Sequence, residues 1–147
     1  MKFQPAFKDN KIKHLEECCR KEGLPVTIQR RLVLEALAER TDHPSADQLF
    51  EAVRDRLPGI SRTTVYRVLE TLEELGVVQR INHQEARVRF DAETRHHHHL
   101  LCTRCHKVVD LRDPELDKLN LPPFNNEGFA VSGFTITVSG ICPACRD

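Results

Sequence analysis

Apolar residues in the first half of the chain recur at helical spacing, interrupted by punctuation that divides them into four segments. Residues 8–22 form the first predicted helix, which stops at Gly23 with Pro25 just beyond. Residues 27–39 form the second, with their apolar side chains gathered on one side. The third opens with Ser45 and Gln48 in an S-x-x-Q capping box; Ala46, Leu49, Phe50, Val53 and Leu57 then share one face before Pro58-Gly59 ends it. The fourth runs from Ser61, the expected N-cap, to Gly76. Val65, Val68, Leu69, Leu72 and Leu75 make its apolar stripe, which leaves Arg62, Thr63, Tyr66 and Arg67 mostly on the opposite face near the helix start.

After Gly76 the period shortens. Residues 77–81 and 86–90 are short, β-rich and separated by a polar turn over 82–85, the pattern of a hairpin. Helices followed by a small hairpin describe a winged helix-turn-helix. Further on, residues 100–102, 107–111 and 129–139 read as strands, Asp113-Pro114 opens a short helix over 114–120, and 121–128 is a loop. The predicted class is α+β: an N-terminal winged helix-turn-helix domain over 1–88 and a small C-terminal α/β domain over 89–147.

Composition narrows the use of these modules. Formal net charge is zero over 147 residues, so the overall balance advertises no polyanionic partner. Locally, 16 Lys+Arg stand against 14 Asp+Glu in residues 1–90, and 6 against 8 in residues 91–147. No run approaches the roughly 18 apolar residues that span a bilayer, and no secretory or lipidation signature is present, so the expectation is a soluble cytoplasmic protein with no membrane partner. In a reducing compartment, cysteines in C-x-x-C pairs are metal ligands more often than disulfides.

Cys102, Cys105, Cys142 and Cys145 are two such pairs, separated by 36 residues. Each chelates from a tight turn, and together they suit a closed tetrahedral thiolate shell around a structural Zn2+. Such a shell has no open position for catalysis. Redox-active dithiols or a rubredoxin-like iron are the competing readings. In the run His96, His97, His98, His99, alternate side chains of a strand share a face, so His97 and His99 can face one metal while His96 and His98 point away. Asp91 and Asp110 bracket the run and would complete a nitrogen and oxygen donor set suited to Fe2+, Mn2+, Ni2+ or Zn2+. A solvated surface run of histidines is the competing reading. On the fourth helix, Arg62, Thr63, Thr64, Tyr66 and Arg67 are the candidates for entering a DNA major groove; a merely solvated helix face is the alternative. Cys18, Cys19, His14, His83 and His106 read as ordinary buried or surface residues.

The run H43-P-S-A-D47, the helix S61-R-T-T-V-Y-R-V-L-E-T-L, R89-F-D91, H96-H-H-H-L-L-C-T-R-C and C142-P-A-C145 together resemble the ferric uptake regulator (Fur) family of bacterial metal-dependent repressors, from Thr27 to Cys145. The resemblance implies a winged-helix DNA-binding domain, a C-terminal dimerisation domain, a structural four-cysteine zinc and a regulatory metal held by His43, Asp91, His97, His99 and Asp110. It adds His43 to the donor set read from the residues. It also implies a homodimer on a palindromic double-stranded operator, acting as a repressor and not as an enzyme. The two aspartates most resemble the peroxide-sensing (PerR-like) branch, which would use Fe2+ or Mn2+ and make His43 and His97 the candidate oxidation sites. An iron, zinc or nickel uptake regulator of the same architecture is the alternative, with Zn2+ or Ni2+ as the regulatory ion. A zinc-ribbon metal-buffering or redox protein is the remote one. Where iron-responsive members carry a further H-x-D site and a later His, this chain has His98 and Gly133-Phe134, so that site is expected to be missing. Pro25 stands where a basic residue commonly reaches the minor groove.

Overall fold

The structure, a computed structural model, describes residues 4–81 and 87–146. Two compact units divide the chain, Met1–Thr94 and Arg95–Asp147. The turn expected over 82–85, with His83, lies outside the described residues.

The first unit contains α1 (Pro5–Glu22), α2 (Ile28–Ala38), α3 (Ala46–Val53), α4 (Arg62–Glu74), β1 (Gln79–Ile81) and β2 (Arg89–Asp91). Helix α1 begins ahead of its expected start because Pro5 is preset for the first helical position. It ends at Gly23, whose φ of +67° lets Leu24 N–H turn back to the Cys19 carbonyl at 2.8 Å. Thr27 caps α2 by accepting from Arg30 N–H at 3.2 Å. The box on α3 is complete: Ser45 Oγ accepts from Gln48 N–H at 3.3 Å, and Gln48 Oε1 accepts from Ser45 N–H at 2.9 Å. Leu57, expected on the α3 face, falls beyond the helix in a half-buried turn held by its N–H on the Val53 carbonyl at 3.0 Å.

Leu15, Val33, Leu34, Leu37, Leu49, Val53, Val65, Leu69 and Leu72 meet in one fully buried cluster, so the apolar faces of all four helices are consumed against one another. Each such side chain contributes about 1.5–3 kcal/mol by burial. At the rim, Glu39 binds Lys8 at 3.1 Å and Arg56 at 2.7 Å, tying α1 and the end of α3 to the end of α2. Strands β1 and β2 pair antiparallel, Gln79 opposite Asp91 and Ile81 opposite Arg89. That pairing carries Arg89, Phe90 and Asp91 into the first compact unit, which runs to Thr94.

The second unit contains β3 (His98–Cys102), β4 (Val108–Leu111), the single turn α5 (Pro114–Asp117), β5 (Thr137–Gly140) and a 3-10 turn at Pro143–Cys145. Strand β3 is central, antiparallel to β4 and parallel to β5. Residues 129–136, expected as strand, lie outside the sheet. With His99 opposite Thr137 in a parallel pair and β3 beginning at His98, β3 offers these residues no length of strand to pair with beyond the bond from His99 N–H to the Ile136 carbonyl at 3.0 Å. Helix α5 stops short of 120, after the turn that Asp113 caps by accepting from Glu115 N–H and Leu116 N–H. Many apolar side chains of this unit face outward, Phe129 being 74% exposed and Phe124 55%.

Candidate metal centres

The four cysteines come together because of register. In the parallel pair β3 and β5, Cys102 stands opposite Gly140, so the two C-x-x-C turns leave neighbouring strands at the same end. Thr103 N–H donates to the Gly140 carbonyl at 2.8 Å, and His106 N–H to the Cys102 carbonyl at 2.9 Å, which closes the first turn with His106 at a φ of +62°. All four sulfurs lie within 4.8 Å of one another. Cys102 Sγ accepts the backbone N–H of Cys105 at 3.5 Å and of Cys142 at 3.4 Å, and these bonds hold its thiol down to about 5. Cys145, hydrogen-bonded to the Cys142 and then the Cys105 sulfur, is pushed up to about 12. Crowded thiols resist full ionisation unless a cation takes the charge, and an all-sulfur set around one point fits Zn2+ in a closed tetrahedral shell.

The histidine and aspartate candidates fall into two groups. In the first unit, His43 Nε2 lies 3.2 Å from Asp91 Oδ2. In the second, β3 and β4 set His99 opposite Asp110, and His97 enters from just before the strand. Asp110 Oδ1 is 3.1 Å from His97 Nε2 and 3.9 Å from His99 Nε2, and the two imidazoles meet edge to face at 4.7 Å. His97 Nδ1 is 2.7 Å from the Arg95 carbonyl, so the ring hydrogen belongs on Nδ1 and the Nε2 lone pair faces Asp110. Acceptors so placed could share a cation.

His96, His98 and Asp117 form another close group, a relation the sequence reading missed because Asp117 arrives from α5. His98 is fully buried; its Nδ1 accepts from Ile136 N–H at 3.0 Å, which puts the ring hydrogen on Nε2, 3.4 Å from Asp117 Oδ1. His96 Nε2 is 2.8 Å from the Phe134 carbonyl and donates to it. Hydrogen bonds hold His98 Nδ1 and His96 Nε2, whereas His98 Nε2 is buried with no hydrogen-bond partner among the described residues.

On α4, Thr63, Tyr66 and Arg67 are exposed. Thr64 is half-buried and spent at the cap, its N–H on Ser61 Oγ at 3.1 Å. Arg62 is drawn back onto α3, 2.8 Å from Asp47 and 3.4 Å from Glu51, with its guanidinium 4.6 Å above the Phe50 ring. Tyr66 Oη also donates to Asp47, at 3.4 Å. Of the two arginines, Arg67 presents the more available guanidinium.

The sequence profile described as the ferric uptake regulator family matches residues 21–139. The chain is 33% identical over 136 residues to the peroxide operon regulator of Bacillus subtilis, covering 92% of this chain and 94% of that protein. Among solved structures it is similar to the Helicobacter pylori ferric uptake regulator, with a TM-score of 0.77 and 21% identity over 100% of this chain and 97% of that one. It is also similar to the Pseudomonas aeruginosa ferric uptake regulator with manganese, with a TM-score of 0.69 and 27% identity over 87% of this chain and 97% of that one.

Proposed function

The chain belongs to the ferric uptake regulator family, and from that premise we propose that it is a metal-dependent, DNA-binding transcriptional repressor in which His43, Asp91, His97, His99 and Asp110 hold one regulatory metal. The observation that carries this reading is the division of the donors. Two nitrogen and oxygen donors stand in the unit that owns the recognition helix, and three stand in the unit that owns the cysteine cluster. Neither set fills a coordination shell alone. A metal drawing on both would favour one arrangement of the two units by its greater affinity for it, and DNA binding would then follow metal occupancy.

The cysteine cluster would hold Zn2+ for structure, and the mixed site Fe2+ or Mn2+ for regulation; its donors are hard or borderline, as those ions prefer. The outward apolar side chains of the second unit fit burial against a second copy. A homodimer would then present two α4 helices to successive major grooves of a palindromic operator, with Thr63, Tyr66 and Arg67 foremost in the groove and Arg62 and Thr64 nearer the helix start. The site of action is the cytoplasm, and the work is binding, not catalysis. Likeness to the Bacillus subtilis regulator supports peroxide sensing, with oxygen added to His43 or His97 when Fe2+ is bound. Likeness to a zinc-bound manganese uptake regulator, 28% identical with a TM-score of 0.69, favours metal-uptake control as the second reading.

Peroxide treatment of the Fe2+-loaded and Mn2+-loaded protein followed by peptide mass spectrometry separates the two. An added oxygen on the His43 or His97 peptide only with Fe2+ supports peroxide sensing. Unmodified peptides, with metal-dependent operator binding intact, favour uptake control.

A further inference from the structure

His43 holds a backbone conformation that its own sequence opposes. Its φ is +52°, in the left-handed region that residues with a Cβ seldom occupy. It also precedes Pro44, whose ring narrows the conformations open to the preceding residue and pushes it towards extended geometry. Strain of this kind persists only where surrounding contacts enforce it.

The contacts come from three consecutive residues of β2. Arg89 Nη1 donates to the His43 carbonyl at 2.9 Å and lies 3.5 Å from the Asp42 carbonyl. Phe90 N–H donates to the Pro44 carbonyl at 2.9 Å. Asp91 Oδ2 meets His43 Nε2 at 3.2 Å. The alternation of a strand explains the division: Arg89 and Asp91 share a face towards the loop, while the Phe90 side chain turns away into the core.

Arg89 is there at a cost. Its Nε is buried with no hydrogen-bond partner among the described residues, an uncommon state for a guanidinium. The carboxylate of Asp42 is hydrogen-bonded through both oxygens by Arg40 at 2.8 and 2.6 Å and acts on Arg89 only by charge, as the last and smallest of the influences on Asp42. What Arg89 grips is backbone, at the residue whose imidazole must be aimed.

We propose that Arg89 is a positioning residue for His43: its guanidinium fixes the strained backbone at His43 and so aims the imidazole at the place that Asp91 also faces. The inference rests on the reading of His43 as a regulatory-metal ligand. Arg89 itself touches no metal. Its effect on affinity runs through the orientation of a ligand, as for other groups that hold metal ligands from behind.

The test uses the full-length, zinc-loaded protein and its Arg89→Met and Arg89→Lys variants. Cobalt(II) uptake beyond the zinc is followed by its visible d–d absorption, and Mn2+ affinity by competition with a chelator dye. Arg89→Met is expected to weaken binding by about tenfold or more and to alter the cobalt spectrum. Zinc content and the helical circular dichroism should be unchanged. Arg89→Lys, which keeps one donor for the His43 carbonyl, should fall between, and it decides the matter if Arg89→Met does not fold. Variants that bind both ions like wild type, with the wild-type spectrum, overturn the proposal. If wild type takes up no ion beyond the zinc, the ligand reading of His43 fails first and the proposal falls with it; uptake by wild type with no effect of Arg89 overturns the proposal alone.

Discussion

Replacing Cys102 by Ser should unfold the second unit and leave the first standing. Cys102 is the buried member of the cluster, and its sulfur accepts two backbone N–H groups, one from each C-x-x-C turn. Serine is a poor zinc ligand. Loss of a structural Zn2+ forfeits about 10 kcal/mol of folding free energy, against a net stability of about 5–15 kcal/mol for an ordinary domain. Little remains to offset that loss, because Val108 is the one fully buried aliphatic side chain among the described residues of this unit, worth about 2 kcal/mol. The first unit is different in kind: its cluster of leucines and valines is built from α1 to α4 without a metal. Hydrogen exchange read by mass spectrometry checks this residue by residue. Protection in His98–Cys102, Val108–Leu111 and Thr137–Gly140 should vanish in Cys102→Ser and on strong chelation, while α2 and α4 stay protected. A variant that retains protected β3, β4 and β5 would refute the structural role of the cluster.

Arg67→Ala should weaken operator binding by about 1–3 kcal/mol and lower the salt dependence by about one ion if the contact is to phosphate, with melting unchanged because the side chain is exposed; equal binding in a titration across salt concentrations would remove Arg67 from the interface. Ser45→Ala breaks the capping box on α3 and should cost about 1 kcal/mol of first-unit stability in urea denaturation, a loss that an unchanged midpoint would exclude. For Glu39, burial pulls the carboxyl upward, but hydrogen bonds from Arg56 and Lys8 outweigh it and leave it below the ordinary 4.5. A lowered folded value stabilises fully above 4.5 and loses that stabilisation as pH falls through it. Wild type should therefore lose melting temperature on acidification below this point more steeply than Glu39→Gln, and parallel curves would contradict the linkage.

What could be read from the chain depended on how local the cause was. The caps at Ser45 and Ser61 and the stop at Gly23 act within a few residues, and each stands where its spelling puts it, while Thr27, read as the first residue of its helix, is instead the cap of α2. The cysteine cluster was legible for the opposite reason: metal chemistry demands a second C-x-x-C wherever it lies. Residues 129–136 were misread because alternation reports a face and not a partner, and pairing is decided by strands distant in sequence. Asp117 beside His98, the draw of Arg62 towards Asp47, and the left-handed backbone at His43 are likewise set by neighbours from other elements. No periodicity in the sequence announces them.

The most direct test of the central claim counts metal and binds DNA in the same samples. Zinc-loaded wild type, His43→Ala, His97→Ala and the double variant are titrated with Mn2+, and operator affinity is measured at each occupancy. If residues from both units hold one regulatory ion, wild type gains one Mn2+ per protomer together with tight operator binding; each single variant loses both, and the double variant is no worse than either. A His43→Ala protein that keeps wild-type Mn2+ affinity and metal-dependent operator binding would contradict the shared site.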